Sequence, residues 1–178
     1  MSSSRRGWFA PLAASASLVT FAIVVLMTPA AAAAADTAEL ARAGDAFVLQ
    51  EGGQRVWIVG NDAVSFTVGL AGSGALNTLG LDRTGYGRQW KPGTAADFTF
   101  LVGGKRLTPG LSTFAFREAR ASATETTVRL ELVFEDSTSK IRVTRNYACA
   151  AGSGAIEAWS VFETAANAAK VSIGDIGV

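Results

Sequence analysis

Apolar residues occupy every second position in short stretches of the chain, which is the pattern of half-buried β-strands. The alternation is clearest at residues 64–70 and 97–102, and no long stretch repeats with the 3.6-residue period of a helix. The pattern predicts strands at 46–50, 54–60, 63–70, 75–81, 97–102, 113–118, 127–135, 139–147, 155–163 and 169–173.

Glycine and small polar residues separate these predicted strands and indicate turns. Residues 36–45 read as a short polar leader. Only residues 118–126 have much helical propensity, and they are few and run straight into a strand. The prediction is an all-β fold, an antiparallel β-sandwich with very little helix.

The clearest predicted hairpin joins the strands at 127–135 and 139–147. Its expected register pairs Glu135 with Lys140, Phe134 with Ile141, Leu132 with Val143 and Val128 with Tyr147. One face of the hairpin is then apolar, while Glu131 and Glu135 lie on the other face, diagonal to Arg142.

Two predicted strands are apolar on both faces. They cover residues 54–60 and 155–163, and each contains a tryptophan. Strands of this kind are expected at the centre of a sheet, with a covering layer on each side.

The first 35 residues have the order of an export signal. Arg5 and Arg6 precede an apolar run at 12–27, which is shorter than the roughly 20 residues of a membrane-spanning helix and leads to the alanine tract 30–35. We expect cleavage after Ala35, a single mature domain at 36–178, and a secreted or periplasmic product with no membrane contact after cleavage. The arginine pair leaves open whether export is general or twin-arginine.

Composition excludes several classes of function. The chain carries 16 Lys plus Arg against 15 Asp plus Glu, a net charge of +1, so no basic surface for nucleic acid is predicted. It has no histidine, which excludes a Ser-His-Asp relay and a His-ligated zinc site. Its single cysteine, Cys149, is expected to be an inert, partly buried thiol. No cofactor or metal is predicted.

The carboxylates are scattered rather than paired. Glu135 and Asp136 are adjacent, but they lie at a predicted hairpin tip, where a solvated turn is expected. Glu157 interrupts an apolar strand beside Trp159 and is interpreted as a rim-facing or arginine-paired glutamate rather than a catalytic one. The glycine pairs at 72–74 and 85–87 do not continue as a dinucleotide fingerprint and are interpreted as turns.

The segment from Asp82 to Trp90 combines aromatic rings with charged and planar donors. Sugars are bound by this mixture, in which a ring faces the C–H surface and polar side chains reach the hydroxyls. Tyr86, Arg88 and Trp90 are therefore the candidate sugar-binding residues. In the alternative interpretation, Trp90 caps the end of the sandwich and Tyr86 lies over it.

Several stretches together resemble a known domain. They are Val56-Trp57-Ile58-Val59-Gly60-Asn61, the strand around Phe66, residues 76–90 with Thr84-Gly85 and Trp90, the strands at 130–132 and 143–147, and 155–163 with its Ile156-Glu157-Ala158-Trp159 core. This order is similar to the N-terminal β-supersandwich domain of bacterial α-galactosidases of the melibiase group of glycoside hydrolases. The resemblance implies a galactose-mutarotase-like supersandwich that precedes a TIM barrel.

The resemblance implies no catalytic residue in this chain. In that family the two catalytic aspartates belong to the barrel, which would begin after Val178, while the sandwich packs on the barrel and can lend a loop to the sugar site. We therefore expect a non-catalytic N-terminal domain that binds an α-galactoside-like sugar weakly. The alternative is an independent secreted carbohydrate-binding or structural module. Aldose epimerases share the sandwich but need a histidine that this chain lacks.

Overall fold

The computed structural model describes residues 36–52, 54–84, 88–90, 96–164 and 172–177, without the side chains of Arg88, Gln89 and Asp175. The predicted export signal lies outside these residues. The described residues form thirteen strands and no helix. The strands are β1 (Thr37–Ala43), β2 (Ala46–Glu51), β3 (Val56–Gly60), β4 (Val64–Leu70), β5 (Leu76–Arg83), β6 (Arg88–Trp90), β7 (Thr99–Val102), β8 (Lys105–Leu107), β9 (Phe114–Ala123), β10 (Thr127–Asp136), β11 (Ile141–Ala150), β12 (Ile156–Thr164) and β13 (Ile173–Gly177).

The strands form three antiparallel sheets, which confirms the predicted all-β sandwich. The six-stranded sheet runs in the order β1-β2-β3-β4-β5-β6, the four-stranded sheet in the order β12-β11-β10-β9, and the three-stranded sheet in the order β13-β7-β8. No helix in the described part of the chain is long and apolar enough to cross a membrane.

The two larger sheets face each other but differ in width. β1 packs against β9 and β10, β2 against β10 and β11, β3 against β10 and β11, and β4 against β12. β5 and β6 therefore continue the six-stranded sheet past β12, the end strand of the facing sheet. We call the inward face of β5 and β6 the overhang.

The core between the sheets is built from inward-facing apolar residues, including Trp57, Val59, Leu130 and Leu132. Four phenylalanines close one part of it: Phe98, Phe100, Phe114 and Phe134 have ring centroids 5.5–6.3 Å apart where they contact. Three of these contacts are edge-on, and such pairs contribute about 0.5–1.5 kcal/mol each beyond the area they bury.

Asn61 ties the two larger sheets together at one end. Its side-chain Nδ2 donates to the backbone oxygens of Ala150 and Ser153, at 3.0 and 2.6 Å, and its Oδ1 accepts from the backbone nitrogens of Ala63 and Val64. The side chain is buried. It therefore joins the β3–β4 turn to the β11–β12 turn.

The predicted strands match the structure where alternation is strong and fail where it is weak. β1 occupies the segment interpreted as a polar leader, so that interpretation was wrong. The strand has no apolar alternation to reveal it, because it lies at the edge of the sheet and buries only Ala43 fully. β9 continues to Ala123 through most of the helix-prone segment, since it pairs with β10 along its whole length. β6 and β8 were not predicted, and most of the strand predicted at 169–173 lies outside the described residues.

The predicted register of the β10–β11 hairpin was wrong by two residues. Glu135 faces Arg142, Phe134 faces Val143 and Leu132 faces Arg145. The turn is longer than expected because Lys140 belongs to it: its backbone nitrogen donates to the oxygen of Asp136, and its φ is 58°. A shift of two keeps every side chain on its predicted face, but it places Glu135 directly opposite Arg142.

Of the two strands expected at sheet centres, only β3 is central. β12 ends its sheet in the described part of the chain, so that prediction was wrong. Neither strand is fully covered on its outer face, where Ile58 is half-buried and Val161 is 42% exposed. The apolar outward residues therefore form partly exposed surfaces.

Candidate sugar-binding site

The overhang carries the most exposed tryptophan described in the structure. Trp90 is 57% exposed and lies opposite Leu81, which is 36% exposed. Leu81 in turn lies opposite Phe66, whose ring packs 5.3 Å from that of Tyr147. One cross-strand row therefore leads from the core to solvent and ends at Trp90.

A β-bulge sets the direction of this row. Thr67 pairs with Gly80 and Val68 pairs with Thr78, so Leu79 is an extra residue in β5. The extra residue reverses the alternation of the strand. Thr78 and Leu81 consequently face the same side although they are three residues apart.

The structure places one of the three predicted sugar-binding side chains. Trp90 lies in β6 with its side chain exposed. Tyr86 lies outside the described residues. Arg88 is described through its backbone, which pairs with Arg83. The alternative, in which Trp90 caps the sandwich and Tyr86 lies over it, depends on a residue outside the described part of the chain.

A buried polar network lies behind the overhang. Asp97 Oδ2 accepts hydrogen bonds from Arg145 Nε at 2.8 Å and from the hydroxyl of Tyr147 at 2.7 Å. Its Oδ1 accepts from the hydroxyl of Thr78 at 2.8 Å. The network joins β5, the segment before β7, and β11. It therefore holds β5 against the core beside the residues that form the overhang.

Burial controls the protonation of this network. Desolvation, followed by the charge of Asp97, raises the pKa of Tyr147 well above its usual range. Tyr147 therefore remains protonated and donates to Asp97. The guanidinium of Arg145 also lies over two rings, 5.2 Å from the centroid of Tyr147 and 5.7 Å from that of Phe98. With both carboxylate oxygens engaged, the network holds β5, β11 and the segment before β7 together.

Sequence reasoning missed this network. One signal in the sequence could have predicted the burial of Arg145. It lies at every second position with Ile141, Val143 and Tyr147, all of which are buried in β11. The sequence gives no signal that Asp97 is buried, because the alternation of its strand predicts an outward-facing residue at this position. Its partner Arg145 lies 48 residues away.

Glu135, Glu157 and Glu163 lie on the outward face of the four-stranded sheet. Glu157 is exposed in β12 opposite Ala148. Glu135, Arg142 and Glu163 form a cross-strand row and line a shallow groove of about 290 Å³. The two glutamates are two strand spacings apart, roughly 10 Å, and Arg142 stands between them. This arrangement does not provide the open carboxylate pair of a glycosidase.

Asp136 corrects the prediction of a solvated hairpin tip. Its side chain is only 2% exposed, and its Oδ2 accepts from the backbone nitrogen and the hydroxyl of Ser139, both at 2.6 Å. These hydrogen bonds outweigh desolvation and lower the pKa of Asp136. Glu135 does lie at the surface, 3.2 Å from Arg117.

The described residues provide no metal-binding group. No cluster of three or more Cys, Asp or Glu side chains among them could hold an ion. Cys149 is buried, and burial raises the pKa of its thiol. The thiol is therefore buried more completely than the partial burial predicted from the sequence.

Comparison with known proteins adds no relative to this picture. No protein family matches the sequence, and no curated protein matches it either. The fold and the residues of the overhang are therefore the basis for assigning a function.

Proposed function

We propose that this domain is the non-catalytic N-terminal β-sandwich of a secreted glycoside hydrolase resembling the α-galactosidases. In this proposal the domain packs on a TIM-barrel catalytic domain, and its overhang contacts an α-galactoside-like sugar. The observation that carries the proposal is the exposed ring of Trp90 at the end of the Phe66–Leu81–Trp90 row.

The overhang has the properties of a sugar platform. An exposed indole offers a flat apolar face for the C–H surface of a pyranose, and Leu81 extends that face. The platform is fixed, because the Thr78–Asp97 hydrogen bond anchors β5 just before the bulge. A single ring leaves little binding energy after the cost of association, so the expected affinity is in the millimolar range.

The outer face of the six-stranded sheet carries apolar residues that favour contact with a second domain. Leu49 and Ile58 lie opposite each other across β2 and β3 and are half-buried, and Leu79 is 42% exposed nearby. Partly exposed apolar residues on one sheet face are typical of a surface that packs on another domain. This feature favours the accessory domain over an independent carbohydrate-binding module.

Tryptophan fluorescence tests the sugar contact. The mature domain at 36–178, called the exported chain below, is titrated with methyl α-galactoside. The sugar should change the tryptophan emission, and this change should be lost in a Trp90→Ala variant. Trp159→Phe is the matched control, because Trp159 is a second partly exposed tryptophan and stacks with Arg129 away from the overhang. A titration that is unchanged in Trp90→Ala would remove the overhang from the proposal.

Activity assays test the non-catalytic role separately. The exported chain should not hydrolyse an aryl α-galactoside. Turnover that survives repurification and is lost on replacing one carboxylate, such as Glu157, would contradict the proposal.

A further inference from the structure

A second concave site lies where the β4–β5 turn meets the connection between β8 and β9. It is a pocket of about 270 Å³, and we call it the glycine pocket. Its lining includes Arg55, Ser73, Gly74, Gly110, Ser112 and Phe116. This lining includes one cation and no carboxylate.

Two glycines with left-handed backbones shape the pocket. Gly74 has a φ of +84° and Gly110 a φ of +95°. A Cβ on Gly110 would lie 2.6 Å from the backbone nitrogen of Ala75. The two loops therefore touch through their backbones, and a side chain at Gly110 would force them apart.

Arg55 is the charged group of the pocket. Its guanidinium carbon lies 5.7 Å from the centroid of Phe116, and that ring packs against Trp57 at 5.8 Å and Phe134 at 5.7 Å. The cation therefore rests on a ring that is fixed in the core. Stacking on an aromatic face leaves the N–H edges of a guanidinium free to donate.

Arg55 has no acidic partner among the described residues. By contrast, Arg117, Arg120 and Arg129 each lie within 4 Å of a glutamate oxygen. An unpaired guanidinium in a pocket without carboxylates is suited to an anionic ligand. Its planar pair of N–H donors matches a carboxylate in a bidentate arrangement.

Hydroxyl groups stand on both loops of the pocket. Ser73 Oγ accepts from the backbone nitrogen of Ala75 at 3.4 Å, which leaves its proton available to donate. Ser112 lies on the facing loop. These groups suit a ligand that bears hydroxyls as well as a carboxylate, and the volume is near the lower end of small-molecule sites.

We propose that the glycine pocket binds a small hydroxylated carboxylate, of the size of one uronic acid, through Arg55. A phosphate dianion is disfavoured, because a single arginine is the only cation in the lining. The inference is independent of the proposed function, since no residue of the pocket belongs to the overhang.

Nitrogen–proton correlation spectra of the exported chain test the proposal with galacturonate, galactose and inorganic phosphate as probes. Galacturonate should shift the amides of 72–74 and 110–112 with millimolar affinity, while galactose and phosphate should shift these same amides at least about tenfold more weakly. Arg55→Gln should weaken galacturonate binding by about tenfold or more. Arg55→Lys should weaken it less, because it keeps the charge but loses the bidentate geometry.

Arg129→Gln is the control variant for the glycine pocket. It should leave the galacturonate-induced shifts of amides 72–74 and 110–112 unchanged, although Arg129 also stacks on a ring, 5.2 Å from the centroid of Trp159. Equal shifts of these amides by galactose and galacturonate, or unchanged galacturonate shifts in Arg55→Gln, would overturn the proposal.

Discussion

Arg145 and Asp97 form an ion pair inside the sandwich, with 2.8 Å between Nε and Oδ2 and side chains that are 6% and 4% exposed. The pair joins β11 of the four-stranded sheet to the segment that leads into β7. It also aligns the acceptor that Tyr147 and Thr78 share. Loss of either charge would leave the other buried without a counter-charge.

Removing one partner of this pair should be strongly destabilising. An Asp97→Asn variant should lower the free energy of unfolding by about 3 to 5 kcal/mol, because it leaves the Arg145 cation buried without a counter-charge. Urea denaturation followed by circular dichroism measures the change. The control is Arg117→Gln, which breaks a half-exposed pair with Glu135 and should cost less than about 1 kcal/mol. Equal losses in the two variants would contradict the role of the buried pair.

Tyr147 should make stability decrease at alkaline pH. Because its folded pKa is raised, the folded state keeps the proton that the unfolded chain loses near pH 10. The contribution of Tyr147 to the free energy of unfolding is fully present below about pH 10. It is lost by about 1.4 kcal/mol per pH unit as the pH rises toward the folded pKa. Urea midpoints between pH 8 and 11 should therefore fall more steeply for the natural chain than for Tyr147→Phe. Parallel slopes would show that Tyr147 does not set this dependence.

The sequence predicts local alternation well and long-range partners poorly. The apolar face of β10 was predictable because Val128, Leu130 and Leu132 alternate within one strand. β1 was missed because an exposed edge strand has no apolar period. The hairpin register was missed because the turn length depends on the backbone of Lys140 and on the side chain of Asp136.

The candidate site was predictable only in part. The composition of residues 82–90 predicted an aromatic side chain at the surface, and Trp90 is exposed. Its exposure, however, follows from the difference in width between two sheets, and no local pattern encodes that difference. The buried Asp97–Arg145 pair depends on residues 48 positions apart, which alternation within one strand does not connect.

Glycine at position 140 should stabilise the hairpin. Lys140 has a φ of 58°, a conformation that is costly for a residue with a Cβ and open to glycine. Lys140→Gly should raise the free energy of unfolding by up to about 1 kcal/mol. Thr138→Gly is the matched control in the same turn, and it should lower stability because its φ is not positive. The urea midpoints of the two variants should shift in opposite directions, and a loss in both would contradict the prediction.

Cys149 should react only when the sandwich opens. Its side chain is 1% exposed, and burial raises the pKa of the thiol, so the reactive thiolate is scarce and shielded. An Ellman assay should show slow reaction in buffer and rapid, complete reaction in denaturant. A Ser122→Cys variant, in an exposed position of β9, should add one promptly reacting thiol in buffer. Prompt reaction of the natural chain would contradict this burial.

The charges on the edge formed by β12 disfavour one way in which two copies of the protein could pair. In the described part of the chain this strand ends its sheet, and Glu157 and Glu163 are exposed on its outward face. If two copies aligned antiparallel along this edge about Ser160, Glu157 of each would stand opposite Glu163 of the other. Like charges directly across strands repel, so this alignment is disfavoured. The spacing of these two acids therefore opposes edge-to-edge pairing of two copies in this register.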